Sequence, residues 1–172
     1  MLKSIKMLKE EHEVILKALN ILNTIEVKDD TIDDIKSIIR FIKNFVDDCH
    51  HVKEEKALFY FLEQKGLAGG PIHVMVYEHN KLRDLIAQIE TRYKEYDELR
   101  KSLDSLISLL AEHIDKENTV LFPMTENLIT IEEDNLIYEE FERIEENFGL
   151  ERHKEYVNLV NSLYTKYNKT SL

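Results

Sequence analysis

Leu99 to Met124 reads LRKSLDSLISLLAEHIDKENTVLFPM. Leu99, Leu103, Leu106 and Leu110 recur at steps of four and three, the spacing of one face of an α-helix. Continued at that spacing, the face reads His113, Glu117, Val120 and Met124. An imidazole and a carboxylate thus fill two consecutive positions that packing alone would make apolar. An earlier stretch repeats the interruption, with Ile39, Ile42, Val46, His50, Glu54, Ala57 and Phe61 on one face. Aligned, His50-x-x-Lys53-Glu54-x-x-x-Leu58-Phe59 matches His113-x-x-Lys116-Glu117-x-x-x-Leu121-Phe122 at every fixed position. Glu11-His12 precedes the first copy and Glu78-His79 the second. The match predicts two duplicated helical hairpins related by a pseudo-two-fold axis.

The chain has 172 residues with only four glycines and two prolines, so it turns sharply in few places and must use long helices. The first apolar run, from Ile5 to Leu22, stops near Lys28. Thr31 and Asp33 supply capping chemistry for a second helix from about Ile32 to about Lys65. Gly66, Gly69, Gly70 and Pro71 form a loop, and Pro71 opens a third helix ending near Tyr96. A fourth helix covers about Glu98 to Asn127. Thr130-Ile131-Glu132-Glu133 reads as a capping box for a fifth, which Gly149 ends, and a short final helix runs from about Glu151 to Asn168. No alternating strand pattern survives outside these runs. The expected fold is all-α, an up-down-up-down four-helix bundle with additional C-terminal helices packed outside. The whole chain, residues 1–172, is expected to form one domain, with the bundle in 1–128 and a helical extension in 130–168.

Lysines and arginines number 23 against 34 acids, a net charge of −11, which argues against nucleic acid and anionic membrane surfaces as partners. One cysteine, Cys49, excludes an intramolecular disulfide and suits a reducing cytosol. Lys3 and Lys6 interrupt the opening residues before an apolar leader can form, so a cytoplasmic location is expected.

His12 lies between Leu8 and Ile15, and His79 between Met75 or Val76 and Leu82, so all four long helices carry a histidine on their inward stripe. Buried glutamates and histidines without partners are costly, and a metal centre compensates all of them together. Residues at i and i+4 lie about 6 Å apart on one helix face, so each His-x-x-x-Glu offers a nitrogen and a carboxylate to one point. The metal-ligand set read from the stripes is His12, His50, Glu54, His79, His113 and Glu117, an inventory for two ions. His51 points about 100° from His50 and reads as an outer-layer or surface residue. His73 and His153 sit apart from the stripes and read as structural, and Cys49 as a small hydrophobe. No catalytic residue is identified beyond the metal ligands.

These segments resemble the hemerythrin-like, or HHE, cation-binding domain family over about residues 8 to 125. The likeness rests on Cys49-His50-His51-Val52-Lys53-Glu54-Glu55 through Leu58-Phe59, on Gly70-Pro71-Ile72 leading to Glu78-His79, and on His113-Ile114-Asp115-Lys116-Glu117 through Leu121-Phe122-Pro123. The resemblance implies two non-haem iron ions bridged by the two carboxylates and an oxo or hydroxo group, with zinc or manganese as possible substitutes. Met75 stands where oxygen-carrying members place a further histidine. The four-histidine set therefore resembles members that respond to nitric oxide, peroxide or oxygen. Small diatomics or peroxide are the expected partners, reversible oxygen carriage is the alternative, and the protein partner is unassigned. Glu11, Glu78, Glu112, Tyr60 and Tyr77 are candidates to tune the site.

Overall fold

A computed structural model describes residues 1–67 and 69–168, and all its regular structure is helical. The helices are α1 (Lys3–Thr24), α2 (32–64), α3 (Pro71–Glu90), α4 (96–128), α5 (Ile131–Phe148) and α6 (Leu150–Asn168). α2 is continuous but widens into π-helix over Ile42–His50 and again over Glu54–Leu58. α4 does the same over Glu117–Leu121.

Most boundaries follow local chemistry. Thr130 accepts from the Glu133 amide while the Glu133 carboxylate accepts from the Thr130 amide, the reciprocal capping box expected from the sequence. Gly149, at φ +110°, ends α5 in a conformation that side chains disfavour. Thr31 differs from expectation. Its hydroxyl makes no cap bond to α2 but donates to the Glu26 carbonyl and accepts from the Lys28 amide, closing the preceding loop. α1 stops at Thr24, earlier than expected, because Ile25 turns extended and inserts into the core. α3 ends at Glu90, where turn bonds from Thr91 and Arg92 replace the helix. α6 is a full 19 residues rather than short.

α1 packs on α2 and α4, and α3 packs on the same two helices. α5 and α6 lie against α1 and α2. Asp134 of α5 reaches the start of α1, accepting from the Lys3 amide at 2.7 Å and from the Ser4 hydroxyl, so it serves the free amides of that helix end. The apolar core falls into two clusters. One gathers Ile15, Val46, Leu82, Leu110 and Val160. The other gathers Leu8, Leu58, Met75, Phe122 and Phe141. Each of the four long helices passes from one cluster to the other at its inward histidine, so a polar layer divides the core.

The fourth-helix stripe read from sequence holds as far as Glu117 and then slips by one residue. Val120 is 52 % exposed, while Leu121, Phe122 and Thr125 are buried. In α2, Leu58, Phe59 and Leu62 are buried and Phe61 is only half-buried. In both cases the slip follows the π turn, which adds a residue to one turn of helix.

Candidate metal centre

The polar layer contains His12 from α1, His50 and Glu54 from α2, His79 from α3, and His113 and Glu117 from α4, each at most 2 % exposed. His50 Nε2 stands 2.6 Å from Glu54 Oε1, and His113 Nε2 stands 2.7 Å from Glu117 Oε1. His79 Nε2 lies 3.1 Å from both Glu54 Oε2 and His113 Nε2. His12 Nε2 completes the ring at 4.0 Å from Glu54 Oε1 and 3.9 Å from Glu117 Oε1. One donor atom each from His12, His50 and Glu54 fall within 4.8 Å of one another, and so do those of His51, Glu54, His79 and His113. The six residues singled out from the sequence are thus brought together.

Despite these short separations, His12 Nε2 and all four oxygens of Glu54 and Glu117 make no hydrogen bond. Buried polar atoms left so cost several kcal/mol in total, roughly 1–3 kcal/mol each. Two ligand atoms bound at right angles about 2.1 Å from a cation stand about 3 Å apart, which is the spacing found here. Nitrogens and carboxylate oxygens that crowd one another without bonding one another fit cations placed between them.

Three of the four outer nitrogens are hydrogen-bonded, and His79 Nδ1 is not. His50 Nδ1 donates to Glu11 at 2.9 Å, His113 Nδ1 to Glu78 at 3.1 Å, and His12 Nδ1 to Asn118 at 2.8 Å. His79 Nδ1 faces Glu55 at 3.4 Å. Such partners fix the ring and leave Nε2 for a metal. The repeat extends to this layer, because Lys53 pairs with Glu11 at 2.7 Å and Lys116 with Glu78 at 2.6 Å. Glu11 and Glu78 therefore support the site, whereas Glu112, Tyr60 and Tyr77 are exposed. Met75 packs in an apolar cluster, and His73 is exposed. Cys49 is buried and free, with burial pushing its thiol up to about 12.

Protons in the metal-free layer follow charge and burial. Burial and the neighbouring Glu54 raise Glu117 to about 7. Burial raises Glu54 too, but the His50 charge outweighs it and holds that carboxyl well below its usual range. Burial disfavours charge on His50 and His113, yet the adjoining Glu54 and Glu117 bring each up to about 10. Burial and His50 push His12 down to about 4. Cation binding to this layer must release such imidazole protons.

Of the two alternatives for His51, outer layer or surface, the structure removes the surface: it is buried, its ring stacked on His79 at 3.6 Å. His153 of α6 is not apart from the site. It lies 3.1 Å from Glu11 and 3.0 Å from Glu145, and these three also form a group of potential donors.

Residues 3–125 match the family model of the hemerythrin HHE cation binding domain. The chain belongs to that family. No curated protein and no solved structure matches it. The hemerythrin-like match covers α1, α2 and α3 and all but the last residues of α4, and so all six converging residues. Among the described residues no helix is long and apolar enough to cross a membrane.

Proposed function

We propose that this hemerythrin-like chain is a non-haem diiron protein that reacts with or senses oxygen, nitric oxide or peroxide. The observation that carries the reading is the dry layer of four imidazoles and two carboxylates in which His12 Nε2 and all four carboxylate oxygens lack hydrogen bonds. His12 and His50 would hold one ion and His79 and His113 the other, with Glu54 and Glu117 shared between them. Iron supplies reversible redox chemistry and affinity for small ligands. The chain's own residues keep the site dry, fix the rings of His12, His50 and His113 through their outer nitrogens, and balance charge through the two lysine–glutamate pairs.

We read residues 1–172 as one domain, with an up-down-up-down bundle in 1–128. In its support, α1 and α3 run from the Leu8 cluster toward the Ile15 cluster, whereas α2 and α4 run the other way. The extension in 130–168 belongs to the same domain, because α5 and α6 pack on the bundle. A reducing cytoplasm suits the free buried Cys49.

Anaerobic titration with ferrous iron tests the reading. About two ions per chain are expected in the full chain, with loss of binding in His113→Ala and Glu54→Ala. Uptake of less than one ion by the unmodified protein removes the proposal. Reversible oxygen carriage is a second reading, favoured by the extra buried imidazole of His51. Mixing the ferrous protein with oxygen separates the two: a coloured adduct that vacuum reverses means carriage, and irreversible oxidation means redox chemistry.

A further inference from the structure

We infer that Glu55 and Asn118 rank the two metal positions: the His79–His113 position fills first and holds its ion, and the His12–His50 position carries the exchangeable one. The inference rests on the metal-binding reading above and concerns the order of loading within it. The repeat fails at one place beside the polar layer. Glu55 follows Glu54 in the first copy, and Asn118 follows Glu117 in the second. Each faces the outer nitrogen of a histidine from the other hairpin, Glu55 at 3.4 Å from His79 Nδ1 and Asn118 at 2.8 Å from His12 Nδ1. Matching positions thus offer a carboxylate to one ring and a neutral amide to the other.

The difference extends beyond this pair. Arg83 holds Glu55 at 2.6 Å and Asp47 at 2.9–3.0 Å, and Asp47 meets His51 Nδ1 at 3.1 Å. In the alignment of the two copies, Asp47 and His51 correspond to Leu110 and Ile114, and Arg83 to Leu16. Around His12 the matching places therefore carry only apolar side chains and the amide. Charge elsewhere around the rings is balanced: Glu11 and Glu145 share Lys53 and His153, and Glu78 has Lys116. Asp47 and Glu55 share a single arginine among the described residues, which leaves a net negative charge beside His79.

An anion at the outer nitrogen makes an imidazole a stronger donor to a cation, and its charge attracts that cation directly. Distances inside the layer run the same way. The Nε2 atoms of His50, His79 and His113 lie 2.6–3.1 Å from a carboxylate oxygen, whereas His12 Nε2 stands back at 3.9–4.0 Å. Scarce iron then empties one position before the other.

Anaerobic titration of the full chain with ferrous iron against a competing chelator tests the proposal by reading two stepwise dissociation constants. Asn118→Asp should tighten the second step by about 10-fold and leave the first unchanged. Glu55→Gln should weaken the first step by about 10-fold and leave the second unchanged. The gain in affinity is the informative sign, because a merely structural lesion only weakens binding. A second step that Asn118→Asp leaves unchanged or weakens, or a first step that Glu55→Gln leaves unchanged, would overturn the inference while leaving the metal-binding reading intact. Should one variant fail to fold, the other decides alone. Uptake of less than one iron per unmodified chain would remove both.

Discussion

Lys53 and Lys116 hold the same place in the two copies of the repeat, yet they should differ sharply in energetic weight. Lys53 is fully buried and lies 2.7 Å from both Glu11 and Glu145. His153 approaches the same two acids from α6. Lys116 is 42 % exposed and, among the described residues, pairs with Glu78 alone. Replacement by methionine keeps the length and packing of either side chain and removes its charge. Lys53→Met leaves the buried Glu11 short of a cation, a loss of about 3–5 kcal/mol for breaking a buried pair. Lys116→Met breaks a solvent-screened pair worth about 0–1 kcal/mol.

At about 2–4 °C per kcal/mol for a chain of this size, Lys53→Met should lower the melting temperature by roughly 6–20 °C and Lys116→Met by at most about 4 °C. Thermal unfolding followed by circular dichroism, on protein freed of metal by a chelator, measures both under one condition. Adding Glu145→Leu to Lys53→Met should return part of the loss, because one of the orphaned acids goes with the lysine. Equal shifts in the two single variants, within about 3 °C, would refute the idea that α5 and α6 turn one half of the repeat into a buried ionic cluster.

Other measurements probe the remaining steps. Ferrous iron at 100 times its dissociation constant should stabilise the protein by about 2.7 kcal/mol per ion, or roughly 5–11 °C each; a shift below about 2 °C, or one that persists in Glu54→Ala, contradicts the assigned ligands. His153 tests pH linkage: burial opposes its charge, but hydrogen bonds to Glu11 and Glu145 outweigh this and raise it to about 9. Its folded pKa lies above the ordinary histidine value of 6.5, so its stabilisation is complete below that pH and is lost as pH rises through about 9. Urea midpoints should therefore fall between pH 7 and 9.5, and the decline should flatten in His153→Gln; parallel curves would count against it. Deletion of the exposed Thr119 removes the extra residue of the π turn Glu117–Leu121. Helix content should survive and iron uptake should fall below two per chain, whereas full uptake would show that the wide turn does not serve the ligands.

The six inward polar residues were legible because a charged or imidazole group at an apolar register is conspicuous, and because the repeat shows it twice. The α5 capping box and the Gly149 stop were legible for a related reason: both are local backbone chemistry. The full burial of His51 was less legible, since an ideal α turn carries it about 100° from His50 and the chain makes a wider turn there. The burial of Lys53 has no signal in the sequence, where it stands only as a fixed position of the repeat matched by Lys116, and that copy is the exposed one. Glu145 and His153 lie 92 and 142 residues from the partners they meet, on amphipathic helices rich in charge, so no periodicity singles them out. Tyr60 and Tyr77 neighbour the ligand segments in sequence, but helical phase turns them to solvent.

Both glutamates of the polar layer open a π turn, Glu54–Leu58 and Glu117–Leu121, and the coincidence has a mechanical reason. A helix that lines two apolar clusters and a polar layer between them must present a carboxylate in the layer and a large apolar group just beyond it. Ideal α spacing after Glu117 would bring Val120 inward, and the wider turn brings Leu121 and Phe122 instead. Phe122 then stacks on His12 at 5.4 Å, closing the layer on that side. In α2 the matching turn buries Leu58 and Phe59, and Phe59 lies nearly parallel to His79 at 6.0 Å. Each π turn thus pairs its carboxylate with an aromatic lid over a histidine carried by another helix. Leu58-Phe59 and Leu121-Phe122 are fixed positions of the repeat, so the wide turn belongs to the duplicated unit itself. The distortion is tolerated because it sets the distance between the donors and the apolar wall that keeps them dry.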